Sequence, residues 1–266
     1  MTRFNSKEIR RKILDMAFAG SSVHIPCAFS IVEIVAVLYR HFVRIKSDDP
    51  RWAGRDYLAL SKGHGIMAQY ACLHEIGWLN DDDLRRYFAD GTRLKGLSDA
   101  HVPGVEVTSG SLGHGLSVAT GLALAAKRNG TEQRTFCIVG DGESNEGSIW
   151  EAILFAAHHE LKNLVIIIDA NGLQAMGRTD EVLRLGNLAD KLTAFGCETR
   201  EVAGHDETAL ERTFRELLAS ESPKPKAVVA HTVKGHGVSF MADNNAWHYT
   251  RLTAETLAAA TAEVSA

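Results

Sequence analysis

With 266 residues, 45% hydrophobic and 23% charged, the chain has the length and composition of a folded protein with a full core. Its formal net charge of −4 excludes the basic footprint of a nucleic-acid binder and a polybasic membrane signal. No apolar run approaches the roughly 18–20 residues that span a bilayer, and the N-terminal segment lacks the order of a signal peptide, so a cytoplasmic protein is expected.

Ser6 to Ala19 reads as an amphipathic helix with Ile9, Ile13, Met16 and Ala17 on one face. Ser30 to Val43 reads as a largely apolar, buried helix, and Asp56 to Ser61 as a short strand. Helices follow over His64 to Trp78, over Asp81 to Ala89 with its acidic start, and over Ser111 to Arg128, stopped by Gly130. Thr135 to Val139, Leu164 to Asp169 and Ala227 to His231 are short, apolar and rich in branched residues, the pattern of buried parallel strands. Helices at Gly147 to Leu161 and Glu207 to Ser220 separate them, an extra strand lies near Cys197 to Val202, and Thr253 to Val264 closes the chain as a helix. This order implies an α/β fold, an open, mainly parallel sheet with helices on both faces. No boundary divides it, so residues 1–266 are expected to form one domain. Cys27, Cys72, Cys137 and Cys197 are far apart and form no CxxC pair, which leaves them as reduced, mostly buried thiols.

The most informative segment is Gly140-Asp141-Gly142, directly after a strand and before a helix. Open parallel sheets bind ligands at the carboxyl ends of their strands, and glycines there let backbone N–H groups approach a diphosphate. A bare Gly-Asp-Gly is a common turn, but the next buried strand ends in Ala170-Asn171-Gly172-Leu173, with Asn171 thirty residues after Asp141. One helix and one strand fill that gap, so neighbouring strands would bring Asp141 and Asn171 to the same sheet edge. A carboxylate, an amide oxygen and a nearby main-chain carbonyl suit Mg²⁺ or Ca²⁺. Asn-Gly also favours turns, which accounts for Asn171 alone but not for its pairing with Asp141. Among 12 histidines, His64 stands out between glycines at a strand-to-helix junction, and His24 lies at a similar junction. No Walker loop and no dinucleotide-binding fingerprint is present.

GDGESNEGSIWEA together with NLVIIIDANGLQAMGRTDEV resembles transketolase, specifically its separately encoded N-terminal subunits, over about Ile13 to His248. The resemblance implies the diphosphate-binding domain of the thiamine diphosphate-binding fold. It implies that Asp141, Asn171 and the main-chain carbonyl of Leu173 bind the metal, and that Gly142 donates its N–H to the diphosphate. Gly110-Ser111-Leu112-Gly113 resembles the loop whose backbone approaches the thiamine ring, which makes Gly110 and Leu112 cofactor contacts. Glu146 would lie at a subunit interface beside the partner's activating glutamate. His64 and His248 would contact the cofactor, and His24, His64 and His248 would be catalytic, lining the substrate channel.

The sequence departs from that pattern in places. Leu97, in Lys95-Gly96-Leu97-Ser98-Asp99, stands where the family has a substrate-binding histidine, which implies a less polar or differently shaped donor, with His101 as a compensating group. His114 and His236 replace a glutamine and a basic residue of the family's loops. The pyrimidine-binding domain is expected on a partner, a C-terminal transketolase-like subunit, in a heterotetramer. The implied reaction moves a two-carbon ketol unit from a ketose-type donor to an aldehyde. Thiamine diphosphate-dependent acyl or ketol condensation and a non-catalytic scaffold role are the alternatives; the joint presence of Asp141, Glu146 and Asn171 argues against the scaffold.

Overall fold

The computed structural model describes residues 3–266. Five parallel strands form one sheet: β1 (Tyr57–Leu60), β2 (Thr135–Gly140), β3 (Leu164–Ala170), β4 (Glu198–Ala203) and β5 (Lys226–His231), in the order β1-β2-β3-β5-β4. Thr135 pairs with Leu164 and Gly140 with Asp169, so β2 and β3 end level with each other. The strands read from sequence thus lie within a residue or two of their observed limits.

Alternation along the strands divides the core in two. Leu58, Leu60, Phe136, Ile138, Val165 and Ile167 face one cluster, with α1 (Ser6–Ala19), α2 (Ile25–Phe29), α3 (Val32–Val37), α4 (Ile66–Ile76) and, further along, α10 (Glu207–Ala219) and α11 (Ala254–Ser265). Ala59, Cys137, Val139, Ile166 and Ile168 face the other, with α6 (His114–Arg128), α7 (Gly147–His158) and α9 (Leu188–Ala194). Both faces of the sheet are therefore covered, which is why its strands are apolar throughout rather than alternating. The two short helices α5 (Asp81–Arg85) and α8 (Thr179–Val182) sit in connections. All four cysteines are buried free thiols.

Helix limits follow local chemistry. Asn5 caps α1 by accepting from the Lys7 and Glu8 N–H groups, and the buried stripe is Ile9, Ile13, Leu14, Met16 and Ala17. A large apolar side chain of that kind contributes about 1.5–3 kcal/mol when fully buried. The continuous helix expected over Ser30 to Val43 is instead broken. α2 ends at Phe29, Ser30 and Ile31 interrupt, α3 runs to Val37, and Leu38–Phe42 form a π-helical turn. The cause is Ser30, whose hydroxyl donates to Asp169 Oδ2 at 2.7 Å and fixes this stretch against the sheet edge. The helix expected from Ser111 starts only at His114, because Gly113 takes φ +89°. Its Cβ, if it had one, would collide with Ser148 Oγ and stand 2.8 Å from Glu146 Cβ.

Candidate active site

The carboxyl ends of four strands converge on one place. Lys62 follows β1, Asp141 follows β2, Asp169 and Asn171 end β3, and Thr232 and Lys234 follow β5. Asp141 and Asn171 are brought together as their spacing predicted: Asp141 Oδ2 accepts from the Gly172 N–H at 2.6 Å, and Oδ1 from the Gly142 N–H at 2.7 Å. Asn171 Oδ1 accepts from the Leu173 N–H at 3.1 Å while its amide donates to Asp169 Oδ2 at 2.9 Å. That orientation turns the Asn171 oxygen to the Leu173 backbone, one residue beyond the Gly172 N–H that Asp141 accepts.

Beneath them lies a polar network that no sequence motif announced. Asp169 is fully buried and forms an ion pair with Lys62, accepting also from Ser30, Thr232 and Asn171. Burial opposes the charge on both partners, yet their mutual attraction wins: the Asp169 carboxyl is held below, and the Lys62 ammonium above, its usual range. Glu143 is a second buried carboxylate. It accepts from Ser61 Oγ at 2.5 Å, the Gly113 N–H at 2.9 Å and the Gly140 N–H at 3.0 Å, clamping three loops together. Burial pushes its carboxyl up.

Asp141 behaves differently from Asp169. It is 4% exposed, and burial, reinforced by the Asp169 charge, raises its pKa to about 6. A buried carboxylate in that condition gains from a cation at its open side. The oxygen-only set of Asp141, Asn171 and the Leu173 carbonyl fits a hard divalent ion. Gln174 Nε2 is buried with no hydrogen-bond partner among the described residues, and its chain packs 2.7 Å from where a Gly142 Cβ would stand. It is thus a donor held ready beside the glycine loop. Lys234, also buried, donates to His248 Nδ1 at 2.6 Å and Asn245 Oδ1 at 3.2 Å. Burial lowers its pKa. The donor set therefore fits an anionic, metal-bound group such as a diphosphate.

His24, His64 and His248 meet although they are far apart in sequence. Val23 and Thr250 exchange backbone hydrogen bonds at 2.9 and 3.2 Å, which carries His248 to His24. The His24 ring centroid is 5.2 Å from those of both His64 and His248. Burial, then Lys234 and Lys62, lowers the His24 pKa to about 4, and burial and Lys234 lower His248 to about 4 as well. His64 is lowered by burial and Lys62. Each shift favours the neutral ring. The Lys234 ammonium donates to His248 Nδ1, so the proton of that ring sits on Nε2.

A cavity of about 400 Å³ opens beside His24, with Val23, Phe88, Leu97 and Tyr249 on its walls. Gly110 lies next to Leu97, since a Cβ there would stand 2.9 Å from Leu97 Cδ1. Gly110 is exposed, Leu112 half-buried and Glu146 exposed at the start of α7. His101, expected as a compensating group, is 92% exposed, pairs with Asp99 at 2.7 Å and is not among the residues lining the cavity. His114 is exposed at the start of α6. His236 lies outside the ring cluster and stacks on His205 with centroids 3.7 Å apart. His205, to which sequence assigned nothing, donates from Nδ1 to Glu33 at 2.9 Å and accepts the Val233 N–H at 2.8 Å. Arg10 also binds Glu33, so this group is a saturated structural tie.

The profile of the "Transketolase, thiamine diphosphate binding domain" matches residues 3–265. The chain belongs to the transketolase family of transferases. It is 37% identical over 260 residues to an apulose-4-phosphate transketolase subunit of Phocaeicola vulgatus, covering 98% of this chain and 92% of that one. It is 37% identical to a 6-deoxy-6-sulfo-D-fructose transketolase subunit of a Clostridium species, covering 91% and 88%. Transketolase from Leishmania mexicana superposes with a TM-score of 0.89 at 33% identity, over 98% of this chain. Campylobacter jejuni transketolase gives a TM-score of 0.91 at 26% identity. The chain spans about two fifths of these solved transketolases, 40% and 42%, but nearly the whole of the relatives named subunits. No helix among the described residues is long and apolar enough to cross a membrane.

Proposed function

We propose that this chain is the diphosphate-binding subunit of a split, thiamine diphosphate-dependent transketolase-like enzyme. Its reaction passes a two-carbon ketol unit from a ketose-type donor to an aldehyde. The observation that carries the reading is the pairing of Asp141 with the Asn171–Leu173 turn, together with the clustering of His24, His64 and His248. The subunit names of its relatives support a partner subunit; in this proposal that partner bears the pyrimidine-binding domain and the two form a heterotetramer.

Asp141, Asn171 Oδ1 and the Leu173 carbonyl would hold Mg²⁺ or Ca²⁺. Gly142 would donate its N–H to the diphosphate, with Gln174 Nε2 and the Lys234 ammonium as further donors. Gly110, Leu112, His64 and His248 would border the ring system, and Glu146 would face the partner. Bound here, thiamine diphosphate supplies the nucleophilic carbon that opens a carbon–carbon bond beside a carbonyl. The chain's own share is orientation, exclusion of water and proton movement. His248, with its proton on Nε2, can donate to a developing alkoxide, and the neutral rings of His24 and His64 can accept from a hydroxyl.

The test is calorimetric titration of thiamine diphosphate with Mg²⁺ into the chain co-expressed with its candidate partner. Metal-dependent binding that is abolished in Asp141→Ala is expected. A folded complex that binds no cofactor would overturn the assignment and leave a scaffold role.

A further inference from the structure

The wall of the cavity beside the three histidines is mostly apolar, with Ser22, Lys95 and the Tyr249 hydroxyl as its polar groups besides His24. Val23, Phe88, Leu97 and Tyr249 line it, and His24 forms its inner edge. Leu97, Phe88 and Tyr249 are 37%, 39% and 54% exposed, so apolar surface is held open to whatever enters. Lys95 also lies on the rim, where its ammonium gives one of its three N–H donors to the Thr92 carbonyl at 2.6 Å. The wall touches the Gly110 backbone through Leu97. This inference rests on the cofactor site proposed above and puts an alkyl-ended acyl unit in place of the ketol unit; at that site Gly110 would border the reactive end of the cofactor. The group seated against Leu97 is then the substituent on the carbonyl carbon that is attacked.

We propose that this pocket selects a donor whose transferred unit ends in an alkyl group rather than a hydroxymethyl group, with Leu97 as the specificity-determining residue. A hydroxymethyl group placed against Leu97 would give up its water and find a leucine side chain and the Phe88 ring in exchange. A methyl or ethyl group loses nothing and gains contact. With a ketose-type donor the exchange is redox-neutral: R–CO–CH(OH)R′ + R″CHO → R–CO–CH(OH)R″ + R′CHO. The bond between the carbonyl carbon and the carbinol carbon breaks, and the same carbonyl carbon bonds to the acceptor's aldehyde carbon. The proton of the donor's carbinol hydroxyl is made up on the new one. With a 2-oxo acid as donor, CO₂ leaves in place of R′CHO and one proton is taken up.

The holo complex is to be assayed with pyruvate, 2-oxobutyrate and hydroxypyruvate as donors and glycolaldehyde as acceptor, following ketol product and CO₂. The complex without cofactor is to be examined in parallel by saturation-transfer NMR on the 2-oxobutyrate methyl group. Wild type should favour pyruvate or 2-oxobutyrate over hydroxypyruvate by about 10–100-fold in kcat/KM, the discrimination a small apolar pocket can supply. Leu97→His and Leu97→Asn should erase or invert that ratio and weaken transfer to the methyl group, with cofactor affinity unchanged. Preference of wild type for hydroxypyruvate, a ratio untouched by both substitutions, or a pocket filled by the partner chain would each overturn the proposal while cofactor binding stands. Failure of the complex to bind cofactor would instead remove the functional reading beneath it.

Discussion

The floor and the wall of the site are built on opposite principles. The floor, at the ends of β1, β2, β3 and β5, is charged and almost fully buried, and nearly every polar atom in it has a partner. The wall, formed by Val23, Phe88, Leu97 and Tyr249, is apolar and partly open. A saturated buried network has one arrangement, so it fixes positions. An open apolar wall fixes little and is free to change with the substrate. On that contrast the floor serves the part of the chemistry shared within the family, and the wall the part that differs.

The largest effect should come from breaking the floor. Lys62→Met leaves the Asp169 charge buried without its cation, and a loss of about 3–5 kcal/mol is expected in urea unfolding. The double substitution Lys62→Met with Asp169→Leu should recover much of that loss. A double variant no better than the single one would mean that the hydrogen bonds from Ser30 and Thr232, not the ion pair, hold the floor. Next in size is Gly113→Ala, which combines a φ of +89° with a clash against Ser148 and Glu146. It should cost roughly 1–3 kcal/mol and disturb the Glu143 clamp that ties Gly113 to Ser61.

The floor and the wall also differ in how far sequence revealed them. β2 and β3 were legible because both faces are covered and branched residues run without interruption. The Asp141–Asn171 pairing followed once those strands were taken as neighbours. His24, His64 and His248 were legible singly, from chain junctions and resemblance, but not as a cluster, because the Val23–Thr250 bridge joins residues 227 positions apart. Lys62, Asp169, Glu143 and Lys234 were missed. Each is an ordinary charged residue near a strand end, and only the fold brings Asp169 to a lysine 107 positions earlier. The break at Ser30 was missed for the same reason, since its cause is a carboxylate 139 positions away.

Titration separates the two regions further. The raised pKa of Asp141 means that the folded protein without metal favours the protonated carboxyl, so stability falls as pH rises from 3.8 through about 6. His24 and His248 are lowered from 6.5 to about 4, so their contribution is intact above 6.5 and is lost as pH falls towards 4. The two trends oppose each other between pH 4 and 6. Asp141→Asn should remove the first trend; because its amide accepts from only one of the Gly142 and Gly172 N–H groups, any gain in stability of the metal-free chain at pH 7 should stay below about 3 kcal/mol. His24→Phe should flatten the second. Thermal melting from pH 4 to 8 checks both, and added Mg²⁺ should stabilise wild type but not Asp141→Asn, with apparent affinity rising through pH 6. Melting curves of Asp141→Asn and wild type that coincide at every pH would show that Asp141 stays ionised without a cation.

The smallest expected effect on stability is the most informative about the wall. Leu97 is 37% exposed and belongs to neither core cluster, so Leu97→His should change unfolding free energy by no more than about 0.5 kcal/mol. The same substitution is expected to shift donor choice by one to two orders of magnitude. A residue that affects selection so strongly and folding so weakly must act on what binds beside it. If Leu97→His instead destabilised the chain by about 2 kcal/mol or more, in the range of a buried packing residue, Leu97 would be holding the Gly110 loop in place. The contrast between a fixed floor and an adaptable wall would then fail at the residue on which it most depends.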